Sequence, residues 1–161
     1  MLCPWRESCI FAATNLDDMQ HLIARLHDSS CSLVVRSRDG AVSTYNQKGV
    51  RDLVWLLDHD SARLLGATIA DKVIGKAAAG LLIRGGVVEV YADVMSRAAV
   101  SLLDEAGICY SYGELVERIV IPEGDTRCQL EQIVAGARDA AEVESMLRNH
   151  FREMQARLNN V

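Results

Sequence analysis

Two stretches of this chain place chemically capable side chains at close spacing. The first is Asp71-Lys72 followed by Gly75-Lys76. The preceding Leu65–Ala70 reads as a short buried strand. The pattern then predicts a helix from Asp71 to about Arg84, with Asp71 as its N-cap and Gly85-Gly86 as its stop. On that helix Lys72 lies in the first turn, where the macrodipole disfavours a cation. Gly75 stands inside an otherwise apolar run, at a cost of ~1 kcal/mol relative to alanine. Two locally unfavourable choices so close together imply a further constraint. An anion held at the helix start by Lys72 and Lys76 supplies one, with Gly75 letting a backbone or ligand come near. The alternative is structural: Lys72 pairs with a nearby acid, Lys76 snorkels to solvent and Gly75 permits tight packing.

The second stretch is Arg127-Cys128-Gln129-Leu130-Glu131. A cysteine opening a short helix beside an arginine can have a lowered pKa, and Glu131 is placed to accept or relay a proton. The plainer reading is a half-buried residue at a helix start, with Glu131 closing the cap. Asp93 and Ser96 follow another expected strand, and ligands gather at the carboxyl ends of strands in open parallel sheets. The catalytic candidates are therefore Asp71, Lys72, Cys128 and Glu131. The ligand-binding candidates are Asp71, Lys72, Gly75, Lys76, Asp93 and Ser96.

Other chemistries lack their residues. Cys3, Cys9, Cys31, Cys109 and Cys128 are odd in number and scattered, with no C-x-x-C and no histidine at metal-ligand spacing from any of them. Neither a metal site nor a disulfide framework is expected. Gly75-Lys76-Ala77 lacks the hydroxyl and the preceding glycine of a phosphate loop, no dinucleotide glycine fingerprint occurs, and no cofactor is expected. The chain has 161 residues, 17 Lys+Arg against 22 Asp+Glu, and a net charge of −5. That balance argues against a nucleic-acid partner. No run reaches the ~18 apolar residues of a membrane span, and Met1–Thr14 lacks the features of a signal peptide, so a cytoplasmic protein is expected.

The elements that must position these residues follow from periodicity. Asn15 is a plausible N-cap for a first helix carrying Leu16, Met19, Leu22, Ile23 and Leu26 and ending near Asp28. Strands over 32–35 and 42–45 flank Asp39-Gly40, a hairpin signal. Gly49 starts a second helix. Strands over 87–91 and 108–112 enclose a helix capped by Ser96 and ended by Gly107. Strand, helix, strand, helix, strand implies parallel pairing. The fold expected is a three-layer α/β/α sandwich with a mixed sheet of about five strands and an N-terminal hairpin. Residues 119–125 read as irregular and 128–135 as a short helix. From Asp139, Val143, Leu147, Phe151, Met154 and Leu158 step by four, four, three and four, an amphipathic seam. The seam either packs on its own domain or makes a homo-oligomer interface over 139–158. The chain divides into an extension over 1–14, a domain over 15–136 and a terminal helix over 137–161.

The run Gly66-Ala67-Thr68-Ile69-Ala70-Asp71-Lys72-Val73-Ile74-Gly75-Lys76-Ala77-Ala78-Ala79, with Gly85–Val87 and Tyr91–Ser96, resembles an uncharacterised bacterial family catalogued as a domain of unknown function. The resemblance spans roughly Leu16 to Ile133. It implies a cytidine-deaminase-like fold. Zinc deaminases place a His or Cys with a catalytic Glu at one helix start and P-C-x-x-C at the next. The matching places, Gly49–Asp52 and Ala70–Gly75, hold neither thiol nor imidazole. The family's late C-P-x-E segment is matched by Cys128-Gln129-Leu130-Glu131, with Gln129 in place of the proline. The expectation is thus a zinc-free deaminase-like domain binding a small anionic or nucleotide-like ligand at Asp71/Lys72. The alternatives are a non-zinc enzyme using Asp71 and Lys72 with Cys128 as nucleophile, and an assembly protein acting through the terminal helix.

Overall fold

The computed structural model describes residues 16–47, 49–120 and 128–161. Helix α1 (Leu16–Asp28) carries Asp17 and Asp18 in its first turn and Arg25 and His27 in its last, a charge order that suits the helix dipole. Asn15, its expected cap, and the 1–14 extension lie outside the described residues. The hairpin forms as expected from β1 (Leu33–Arg36) and β2 (Val42–Tyr45), paired antiparallel from Leu33↔Tyr45 to Arg36↔Val42. Its turn needs a glycine: Gly40 has φ +91°, and the Asp39 carboxylate accepts the Ala41 N–H at 3.0 Å. Helix α2 is Arg51–His59.

Strand β3 (Thr68–Ile74) corrects the sequence reading. It runs through Asp71 and Lys72 instead of stopping before them. Both its edges are paired there: Leu33↔Asp71 with β1, and Asp71↔Ala92, Val73↔Val94 and Ile74↔Met95 with β4 (Glu89–Ser96). Ladder hydrogen bonds on two sides outweigh a local capping preference. Helix α3 starts only at Lys76 and runs to Gly85, with Gly75 as N-cap. Asp71 is therefore no helix cap, and Lys72 opposes no macrodipole.

Strands β4 and β5 (Cys109–Val116) also outrun the expected segments at their carboxyl ends. The sheet order is β2-β1-β3-β4-β5, with β1 antiparallel to β2 and β3, and β3, β4 and β5 mutually parallel. The ladders run through the row Asp71–Ala92–Tyr112, break at Lys72–Asp93–Gly113, and resume at Val73–Val94–Glu114. The pleat shifts with them. Buried positions in β4 are Val90 and Ala92, then Met95 and Ser96. Gly113 has no Cβ because one would sit 2.8 Å from the Asp93 carbonyl oxygen.

Helix α4 (Arg97–Ala106) is capped as expected, with the Ser96 hydroxyl accepting the Ala99 N–H at 3.2 Å. Gly86 and Gly107, at φ +79° and +70°, end α3 and α4 in the left-handed conformation. The two faces of the sheet are covered differently. Val34 and Ala70 meet Met19, Leu22 and Leu26 of α1. Leu33, Val35, Ile69 and Val90 belong to the larger core with α2, α3, α4 and the C-terminal helices. Helix α5 is Gln129–Ile133, and α6 is Ala140–Asn159, capped by the Asp139 carboxylate at the Glu142 N–H (2.8 Å). Val143 and Leu147 of α6 are fully buried, whereas Met154 and Leu158 are 43% and 68% exposed. Among the described residues no helix is long and apolar enough to cross a membrane.

Candidate functional site

A cavity of about 290 Å³ lies where β3 leaves the sheet, between the start of α2, the start of α3 and the Cys128–Glu131 segment. Asp71, Lys72, Gly75, Cys128 and Glu131 all line it, so residues as far apart in sequence as Asp71 and Glu131 are brought to one place. Asp52 also lines it and escaped the sequence reading, because an aspartate in a helix's first turn looks like ordinary dipole chemistry. It is 6% exposed, and its Oδ2 accepts the Gln47 N–H at 2.9 Å.

The Asp71 side chain faces an electrostatically costly environment. Burial pushes its pKa up to about 7, against the pull of the Val73 and Lys72 N–H groups, and the charges of Asp52 and Asp93 push the same way. The residue keeps part of its surface exposed and lines the cavity wall. Its Oδ1 accepts the Val73 N–H at 3.2 Å. Lys72 is exposed at the rim.

Gly75, Lys76 and Glu131 form one unit. The Glu131 carboxylate accepts the Lys76 N–H on Oε2 at 3.0 Å and the Ala77 N–H on Oε1 at 3.1 Å, so it occupies the N-terminus of α3. A Cβ on Gly75 would lie 2.3 Å from Oε1, which explains the glycine that looked anomalous in the sequence. The Lys76 ammonium returns the contact, donating to the Ala135 and Ala137 carbonyls at 3.0 and 2.7 Å. Close approach at Gly75 was legible, but the approaching group is the chain's own carboxylate. Lys76 does not snorkel to solvent, and it does not line the cavity.

Asp93 and Ser96 do not line this cavity. Asp93 Oδ1 meets His27 Nε2 at 2.7 Å and accepts the Tyr91 hydroxyl at 2.9 Å, joining α1 to β4. Burial, helped by that aspartate, pushes the Tyr91 hydroxyl up to about 12. Ser96 is 1% exposed and spent on the α4 cap. Cys128 is a half-buried free thiol, and its expected helper Arg127 lies outside the described residues. Cys31 is a second free thiol and is buried.

The segments Gly49–Leu53 and Asp71–Gly75 both reach the cavity. They bring two carboxylates, Asp52 and Asp71, and neither an imidazole nor a thiol, a donor set poor in the ligands zinc prefers. Among the described residues no three His, Cys, Asp or Glu side chains converge as a metal ligand set.

A mixed five-stranded α/β domain with an acid-walled cavity at one strand's carboxyl end is the class that this fold and site define. The chain belongs to the DUF1893 family, whose model, described as "TM1506: Domain of unknown function (DUF1893)", matches residues 21–151. Among solved structures it is similar to a DUF1893 family protein (TM1506) from Thermotoga maritima, with a TM-score of 0.77 and 24% identity. That match covers 86% of this chain and 92% of the other, and at such identity it shows the fold alone. None of the curated proteins matches.

Proposed function

We propose that this protein is a zinc-free binding module of three-layer, cytidine-deaminase-like architecture, and that its cavity takes a small nucleotide-like molecule. The observation that carries the reading is Asp71, a carboxyl raised to about 7 on the wall of a cavity at a strand's carboxyl end. A group titrating near neutrality can accept or donate a hydrogen bond, which suits the mixed polar edge of a nucleobase. A bare anion suits the cavity less well. Glu131 already fills the α3 N-terminus, and Asp52 adds a second carboxylate to the wall. The ligand's N–H groups therefore face Asp71 and Asp52, and any phosphate stays at the rim beside Lys72.

Calorimetric titration of nucleobases, nucleosides and nucleoside monophosphates into the wild type and Asp71→Asn tests this. The expected result is binding by the wild type and at least about tenfold weaker binding by the variant, a loss of ~1.4 kcal/mol. Lys72→Ala should weaken the monophosphate more than the nucleoside. No binding at millimolar concentration, or equal binding by Asp71→Asn, sinks the proposal.

One observation favours an enzyme instead: the Cys128 thiol lines the same cavity as Asp71. Chromatography of the titration mixtures decides it, since that reading requires ligand turnover that Cys128→Ser abolishes.

A further inference from the structure

We propose that α5 is a strap over the cavity, held shut by a two-way clasp between Glu131 and the start of α3. The clasp crosses itself: Glu131 of the strap reaches two N–H groups of α3, and Lys76 of α3 reaches two carbonyls just beyond the strap. Apolar packing anchors the strap at its far end, where Val134 is fully buried and Ala137 nearly so, and holds α5 itself more weakly. None of the residues in α5 is buried, and Leu130 and Ile133 are only partly covered. A short element with few buried side chains opens locally at low cost, so the polar clasp sets how often it opens. Cys128 and Leu130 line the cavity from the strap side, and opening bares both.

Gly75 makes the device separable from the fold. Its φ of −99° and ψ of −173° are extended backbone that alanine adopts freely. The three atoms nearest its missing Cβ all belong to Glu131, at 2.3, 2.6 and 3.1 Å. A methyl group there displaces the Glu131 carboxylate and disturbs nothing closer. The inference concerns the wall of the cavity and not its occupant, so it is tested without any ligand.

The experiment measures alkylation of the full chain by iodoacetamide, with peptide mass spectrometry following Cys128 and Cys31 separately. Cys31 is a free thiol, 5% exposed, packed under α1, and it reports on the body of the domain. Gly75→Ala and Glu131→Ala should each speed Cys128 alkylation at least about tenfold, as expected when hydrogen bonds to a charged group are lost. Cys31 should keep its wild-type rate. The double variant should be no faster than the faster single variant, because both remove one contact. Amide exchange over 129–133 should rise in parallel. A wild-type Cys128 rate in either variant overturns the proposal. So does a rise at Cys31 in step with Cys128, which makes the clasp a general support and not a strap.

Discussion

Asp71 binds its proton more tightly in the folded protein than in the unfolded chain, its pKa rising from 3.8 to about 7. Between these values the native state holds the extra proton, so stability falls as pH rises from about 4 to about 7 and levels off above that. Asp71→Asn removes this slope and should stabilise the protein at pH 8 by roughly 1–2 kcal/mol, a figure kept low because solvent reaches the cavity mouth. Urea midpoints of both proteins between pH 4 and 8 measure it, and parallel curves would show that Asp71 is not the group responsible. Chemistry at this scale was partly legible. Gly75 stood out because it is an awkward choice locally, whereas Asp71 read as an ordinary helix cap and the awkward neighbour was Lys72. What sets both Asp71 and Gly75 is non-local: burial, with the charges of Asp52 and Asp93, at Asp71, and the carboxylate of Glu131 at Gly75. No spacing rule reaches from position 75 to position 131.

Among the elements, α3 shows how packing overrides propensity. Gly80 sits in mid-helix, where alanine is favoured by ~1 kcal/mol in isolation. A Cβ there would lie 2.4 Å from Val143 Cγ1 and 2.6 Å from its Cβ, both on α6. Backbone and β-branched side chain have little room to give, so Gly80→Ala should destabilise the domain by about 1–3 kcal/mol despite its better helix propensity. A lowered urea midpoint with unchanged far-ultraviolet dichroism is the expected result, and a raised midpoint would mean that α3 and α6 are not in close contact. Helix boundaries set by a cap or a left-handed glycine were readable, as at Ser96, Gly86 and Gly107. Strand ends were not. Ala92-Asp93 and Asp71-Lys72 carry polar residues that suit a loop, and only neighbouring strands on both sides keep them in the sheet. The same extension places the broken row Lys72–Asp93–Gly113 and directs Asp93 to His27 and Tyr91, away from the cavity.

For the whole molecule, the open question is what α6 does beyond the body of the domain. Its seam divides near Phe151. Val143 and Leu147 are fully buried in the main core, Phe151 is half-covered, and Met154 and Leu158 lie open to solvent on the continuation of the same stripe. The periodicity announced one continuous seam, and nothing in it marked where the chain's own surface ends, because apolar spacing is the same for a core and for an interface. We propose that the outer half pairs with a second copy of the chain. The two halves then respond differently to substitution. Leu147→Ala should cost about 2–5 kcal/mol of stability through the cavity it leaves. Leu158→Glu should leave the monomer's stability within about 0.5 kcal/mol, as surface changes do, but abolish association. Light scattering across a concentration series separates the outcomes: a wild type that dimerises and a Leu158→Glu variant that stays monomeric support the interface. A wild type that remains monomeric at the highest concentration, or a Leu158→Glu protein that still dimerises, confines α6 to its role as a wall of its own domain.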